Sequence, residues 1–393
     1  MKICRHMSLC ASLHLFFFGL MASSEEIVSD RKILKRESFL SLSWFSYLNS
    51  KVLIMFFLSA VQTLLFVVIG NMVLEIKGMT SVYWFVLFST SCTGNIIGLN
   101  LSSAFRSVLT IYILIPFIII PQLLFSGVLV RYDSLNIKQH EYVPFIGDLM
   151  IARWSFEAIA AEQFRNNAYE KHFFSNDIII ADNAWNGMLV DLLRKDLRKS
   201  TRLLDSSQYG EARKNLARLR FHLSDLSELS GVNMSRELKD SLDEDHFSRS
   251  ASVHFEELLG SMKKVFIQRL RTAMRQNDEI MSGIEDLPEL YRKNVNRKLL
   301  SLMQGDEVLQ KYFATDQKYI RNYRPGLMKP TARNGRSHFL SPFKIVGNAK
   351  AGTLLFNMII VWTSFIVLYL ILLFRLPEII SSAFEKVRLR KAE

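Results

Sequence analysis

The sequence predicts an all-α polytopic membrane protein with about five transmembrane helices, four complete and one partial, and a large helical extracytoplasmic domain. Three observations predict it. Residues 52–130 contain only Glu75, Lys77 and Arg106 as charged groups, and residues 351–374 contain none. Stretches of that kind match the ~20 apolar residues that cross a hydrocarbon core. Between them, residues 131–352 are polar, with apolar positions returning at helical spacing. The average composition conceals this: of 393 residues 49% are apolar and 22% charged, which alone reads as globular, and 12% aromatic content excludes a disordered chain.

In chain order, residues 9–21 form an apolar stretch of about 13 residues, short for a span. Lys2, Arg5 and His6 precede it and Ala22-Ser23-Ser24 follow. Residues 1–23 are therefore a partial transmembrane helix or a signal-like segment. Threading the spans decides between them. Arg31, Lys32, Lys35, Arg36, Lys51, Arg106, Arg375, Lys386, Arg388, Arg390 and Lys391 then fall on one side in short segments. Basic residues in short loops mark the cytoplasm, which favours the partial helix. Residues 24–51 become a cytoplasmic elbow, 52–130 three transmembrane helices (52–73, 82–105 and 108–130), and 131–352 the extracytoplasmic domain. Residues 353–375 are the last span and 376–393 a cytoplasmic basic tail. The expected location is the plasma (inner) membrane, with the lipid bilayer as a partner.

Inside the external region four apolar stripes predict helices. They are Trp185, Met188, Leu189, Leu192, Leu193 and Leu197; then Ala212, Leu216, Leu219, Leu223 and Leu226; then Phe255, Leu258, Leu259, Met262, Phe266 and Leu270; then Leu290, Val295, Leu299 and Leu302. Each reads as a packing face of a bundle. Arg324-Pro325-Gly326 and Lys329-Pro330 mark a loop leading back to the membrane.

No G-x-x-x-x-G-K-[ST], H-E-x-x-H, C-x-x-C or G-x-S-x-G motif occurs. A catalytic role has no support, and no metal site or catalytic residue is expected. The net charge of +12 divides about equally between 131–352 and the rest of the chain, without the basic, aromatic-laced stripe a nucleic-acid surface needs. Pro116 and Pro121 should bend the span that holds them. Gln62, Asn71, Thr93, Asn95, Asn100, Gln122 and Asn357 lie inside spans. Of these, Gln62, Asn95, Asn100, Gln122 and Asn357 are candidates for a translocation path, with interhelical hydrogen bonding as the competing role. No Asp, Glu, Lys or Arg lies deep in a span, so an amphipathic or lipid-like cargo fits better than an ion.

Three segments resemble one transporter family. Residues 24–51 contain Arg36-Glu37 in a charged segment, followed by an aromatic stretch and Tyr47 to Lys51. Residues 120–130 read IPQLLFSGVLV, and residues 152–164 read ARWSFEAIAAEQF. Together they resemble the membrane domain of ABC exporters of the type-2, white/ABCG-like class, and GRSHFLSPFK at 335–344 is similar to a bacterial subgroup with a long external loop. The resemblance covers about 24–175 and 325–375, and residues 176–324 have no counterpart. It implies a re-entrant segment at 144–165 and coupling to an ABC ATPase through the elbow, with Glu26, Arg31, Arg36 and Glu37 as the coupling residues. It also implies a dimer with a second membrane-domain copy, and ATP bound by a partner or missing domain, with no cofactor in this chain. The function expected is the permease part of an ATP-driven exporter. The alternative is a membrane-anchored structural or sensor protein whose external domain binds a partner; three consecutive short-looped spans exceed what an anchor needs.

Overall fold

A computed structural model describes residues 4–37, 43–74, 78–127, 129–130, 132, 142–205, 209–235, 238, 241–242, 247–306, 308–379 and 381. The chain divides into two compact units. One comprises Met1–Asn167, Arg292–Leu299 and Pro330–Glu393; the other comprises Ala168–Tyr291 and Leu300–Lys329.

The first unit carries the apolar helices. They are α1 (Cys4–Ser24), α2 (Glu26–Glu37), α3 (Trp44–Leu74), α4 (Thr80–Ala104) and α5 (Val108–Leu124). A short turn of helix α6 (Phe145–Asp148) leads into α7 (Ile151–Asn166). Much later come a hairpin of β3 (Phe343–Val346) with β4 (Ala349–Gly352) and the final helix α13 (Thr353–Leu373). Among the described residues, α3, α4 and α13 are long and apolar enough to cross a membrane.

Helix α4 is the centre of this unit: 72% of its apolar window is buried, against 22% for α3 and for α13. It carries Ser89, Thr90, Ser91, Thr93, Asn95, Ser102 and Ser103, all buried, and the hydroxyls of Ser89, Thr90 and Thr93 turn back on the helix, as when Thr90 donates to the Val86 carbonyl at 2.7 Å. Small residues let α1 lie directly on α4. A Cβ added to Gly94 would sit 2.5 Å from the Phe16 carbonyl oxygen, and one on Gly98 2.5 Å from that of Leu20. One on Gly19 would meet the Ser91 carbonyl at 2.4 Å. Backbone-to-backbone approach through small side chains is how helices associate where water supplies no driving force. Leu15, Phe16 and Leu20 fill the flanks of the seam.

Two boundaries differ from the sequence reading. The aromatic stretch expected to precede the second span is helical from Trp44, so the 31-residue α3 begins inside the elbow. The expected span 108–130 is cut to 17 residues, about 25 Å at ~1.5 Å per residue, at the lower end of what spans. Phe125 ends the helix, its N–H bonded to the Pro121 carbonyl, and Gly127 follows at φ +84°. A Cβ there would strike the Tyr132 ring at 2.5 Å.

The second unit is an ordinary soluble-type core. Helices α8 (Phe174–Asp205), α9 (Tyr209–Ser230) and α10 (Arg249–Ser282) pack through Leu189, Leu193, Leu197, Leu219, Leu223, Leu226, Phe255, Leu259, Met262 and Phe266. These are the first three predicted stripes. Ser248 starts α10 by accepting the Ala251 N–H at 3.1 Å. A hairpin of β1 (Tyr312–Ala314) and β2 (Tyr319–Arg321) closes on the bundle: the Tyr319 hydroxyl donates to Asp196 at 2.6 Å, its N–H to His222 Nε2 at 2.9 Å, and Arg218 Nε to the Thr315 carbonyl at 2.6 Å. The fourth predicted stripe is not one helix. It breaks into α11 (Leu287–Asn294) and α12 (Arg297–Gln304). Asn296 begins the second by accepting the N–H groups of Lys298 and Leu299, each at 3.2 Å.

Candidate functional site

Two constructions in the first unit hold side chains in chemically loaded arrangements. The first is the elbow, α2. The opening turn of a helix leaves backbone N–H groups without partners. Here the Ser102 hydroxyl of α4 accepts two of them, from Ile27 at 3.0 Å and Val28 at 2.9 Å. Arg31 donates to the Ser103 carbonyl at 2.8 Å, fixing α2 to the end of α4 a second time. Lys51 of α3 bridges Glu26 at 2.6 Å and Asp30 at 2.7 Å, and the Tyr47 hydroxyl reaches Asp30 at 3.0 Å. Glu378, beyond α13, accepts from the Ser103 hydroxyl at 3.2 Å, and the Arg375 guanidinium lies 4.4 Å from the Trp44 ring centre.

Of the coupling residues expected from sequence, Glu26 and Arg31 thus face this chain's own helices. Arg36 is exposed, and the side chain of Glu37 lies outside the described residues. The outward stripe of α2 consists of Ser29, Lys32, Ile33 and Arg36, at spacings of three and four, with Lys35 beside it. Ile33 is 44% exposed there.

The five path candidates do not converge. Asn95 donates to the Ser59 hydroxyl at 2.8 Å, and Asn100 to the Ile96 and Leu368 carbonyls at 2.7 and 3.1 Å. The Gln122 side-chain oxygen accepts the Ala152 N–H at 3.0 Å. Asn357 donates to the Trp154 carbonyl at 3.0 Å and to Glu157 at 3.1 Å. These four tie helices together. Gln62 is exposed on α3.

The second construction is a buried charge cluster at the start of α7. Glu157 is fully buried and accepts four donors: Lys344 at 2.8 Å, Arg153 at 3.2 Å, Asn357 at 3.1 Å and the Leu340 N–H at 3.1 Å. Leu340 holds the left-handed backbone at φ 65°, a conformation that costs a non-glycine residue free energy; here it aims the N–H at the carboxylate. Arg153, 1% exposed, also donates to the Gly147 carbonyl at 3.1 Å and to Asp148 at 2.9 Å, and its guanidinium lies 3.5 Å from the Trp154 ring centre. Arg336 reaches Asp148 at 3.4 Å from outside. Isolated buried ions are very costly, and this one is paired and fully hydrogen-bonded. The cluster ties α7, the strand β3 and α13 into one body. In the sequence, 152–164 and 335–344 are two separate marks of resemblance; the ion pair between Glu157 and Lys344 has no sequence signal beyond the presence of both residues.

The ABC-2 type transporter membrane-domain model matches residues 6–164 of this chain, α1 through α7. No curated protein and no solved structure gives a match. With its apolar helices, the match supports a permease component of an ABC transporter: a membrane protein engaged in transport, of a kind that works with an ABC ATPase partner and is generally not catalytic itself.

Proposed function

We propose that the chain is the membrane-domain part of an ATP-driven exporter of the white/ABCG-like class, and that a separate or fused ATPase docks on α2 from the cytoplasm. The carrying observation is mechanical. Helix α2 is held by α3 and α4 through Ser102, Arg31 and Lys51, while its other face offers Lys32, Ile33 and Arg36 to a partner. A helix secured on one side and bare on the other suits the transfer of motion. Its basic stripe around one apolar side chain fits an acidic rim with a hydrophobic socket. In this reading the protein sits in the inner membrane as a dimer, residues 131–352 are extracytoplasmic, and the cargo is amphipathic.

The test is purification of the full chain from its native membranes with its ATPase. Lys32→Glu combined with Arg36→Glu should cut ATPase recovery at least about tenfold, the range set by interfacial charges, while the chain remains membrane-inserted. Full recovery with the double variant would remove α2 from the ATPase interface.

A further inference from the structure

Helices α8 and α10 are 32 and 34 residues long and run antiparallel in one register: Arg198 pairs with Glu256, Asp191 with Lys263, and Asp177 accepts from Asn277 at 2.9 Å. Helix α9 has 22 residues and covers only part of that length. It ends at Ser230, where Gly231 turns the chain away at φ +76°. At the same level Arg269 of α10 donates to the Leu229 carbonyl at 2.6 Å and to the Ser230 carbonyl at 3.5 Å. Past that level α10 continues to Ser282, ~20 Å at ~1.5 Å per residue.

The core stripes of both helices continue past the end of α9 and lose their cover there. On α8, Val190, Leu193 and Leu197 are buried. The same spacing of three and four leads back to Asn186, Asn183 and Ile179, and Ile179 is 42% exposed. On α10, Leu258 and Met262 pack in the core, and the row continues as Val265, Arg269, Thr272 and Gln276. Between the two uncovered stripes lies an open groove of about 380 Å³. Ile179, Val265 and Ala273 give it apolar contacts, and Gln268, Thr272 and Gln276 give it hydrogen-bonding ones.

This groove sits where α9 would run if it were longer, and that position selects its occupant. Its lining is wholly helical, and its contacts recur at the three-and-four spacing that matches a helix laid in a groove. A small molecule would leave much of its surface wet in a groove open along its length. Charge gives the second criterion. Arg271 and Arg275, one turn apart on the outer rim of α10, are exposed, and neither pairs with a described carboxylate. Lys264 and Gln268 precede them in the same row, also exposed, and Asp278 and Glu279 end it. A partner that meets this rim gains from carboxylates one turn apart.

We propose that the groove between α8 and α10 docks an acidic amphipathic helix of a partner protein, laid end to end with α9 so that it completes the third helix of the bundle. Its apolar stripe lies on Ile179, Val265 and Ala273, and its acidic flank faces Arg271 and Arg275. The proposal rests on the helical unit alone and is independent of the exporter reading.

The experiment uses the full chain in phosphatidylcholine nanodiscs, with empty nanodiscs as the blank. The probe is a fluorescein-labelled synthetic peptide of about 14 residues, the length of the groove at ~1.5 Å per residue, with Ala and Leu at three-and-four spacing and Glu on the flanks. Its anisotropy should rise to saturation. A scrambled peptide of the same composition should bind at least about tenfold more weakly, since its apolar anchors no longer share a face. Arg271→Glu with Arg275→Glu should weaken the patterned peptide about tenfold. Lys195→Glu with Lys311→Glu, an equal charge change at exposed positions away from the groove, should not. Thr272→Trp, at an exposed position, should fill the groove and weaken binding at least about tenfold by a clash that leaves the charge unchanged. Absence of saturable binding would overturn the proposal. So would equal binding of the scrambled peptide, or indifference to both groove variants. Capture of a second copy by p-benzoylphenylalanine at Gln276, in the absence of peptide, would also overturn it, since the face would then be an interface between copies. No ATPase is present, so each of these outcomes leaves the elbow reading untouched.

Discussion

Glu157 and His222 show two ways a buried side chain is kept in its proper state. Glu157 is charged and surrounded by donors. Replacing it by Gln preserves shape but leaves Lys344 buried without its counter-ion and Arg153 with Asp148 alone. Breaking such a pair costs about 3–5 kcal/mol. Glu157→Gln should therefore lower the melting temperature of the detergent-purified chain substantially; an unchanged melting curve would mean that the cluster contributes nothing to stability. His222 is neutral and works as an acceptor for the Tyr319 N–H. Burial, and secondarily the Lys318 charge, push its pKa down to about 4 from 6.5. The unfolded state then binds the proton more readily than the folded state. The stabilisation is complete above pH 6.5, falls as pH drops, and is gone below about 4, a loss of about 3 kcal/mol. Hydrogen exchange at the Tyr319 amide, corrected for its intrinsic rate, should lose protection across that window. In His222→Gln, which retains an acceptor but no titration, the His222-dependent part of the loss should vanish. Persistence of the full loss would assign it elsewhere.

Among the elements, the α1–α4 seam is the sharpest constraint. A Cβ on Gly98 would lie 2.1 Å from the Ser23 hydroxyl and 2.5 Å from the Leu20 carbonyl, and that backbone cannot yield without moving α1. Gly98→Leu should destabilise the chain by about 1–3 kcal/mol or more through overpacking, read as a lost monodisperse peak in size-exclusion chromatography. Gly70→Leu on α3, where a Cβ meets nothing within 4 Å, should leave the peak intact. How much the sequence disclosed differs by element for a physical reason. The stripes of α8, α9 and α10 were legible because water on one side and core on the other impose a 3.6-residue period: Leu219, Leu223 and Leu226 are each about 1% exposed or less. Helix α4 was legible as a span but not as the centre, since an apolar helix in lipid has no polar face to reveal its inside. Its hydroxyls and glycines were the available signal. Ser102 as the cap of α2 had none, because a serine 74 and 75 positions from its donors looks like any other. The α11–α12 break at Asn296 is an ordinary capping signal that the apolar spacing of Leu290 to Leu302 overrode.

At the level of the whole molecule, the chain combines a permease-like unit with a helical unit that has its own hydrophobic core. The basic residues of short segments and the polarity of residues 131–352 predict opposite sides of the membrane for α2 and the helical unit. A cysteine introduced at Ser261, exposed on α10, should react with an impermeant thiol reagent in intact spheroplasts. One at Ser29 should react only after permeabilisation. Reversed labelling would invert the topology and exclude a cytoplasmic ATPase at α2. The cluster at Glu157 belongs to this scale too. Its carboxylate and the Lys344 ammonium are 187 positions apart, with the whole helical unit between them in the chain. An intervening domain can thus be accommodated while the membrane unit keeps its two halves in register.

The bond from Ser102 to the start of α2 has a kinematic meaning. Two backbone amides of α2 end on a single oxygen of α4, so the two helices share a pivot where a loop would give slack. On the exporter reading, a thrust applied to the outer stripe of α2 would pass directly to α4, which among the described residues packs against α1, α3, α5, α7 and α13, and would reach all of them in the same stroke.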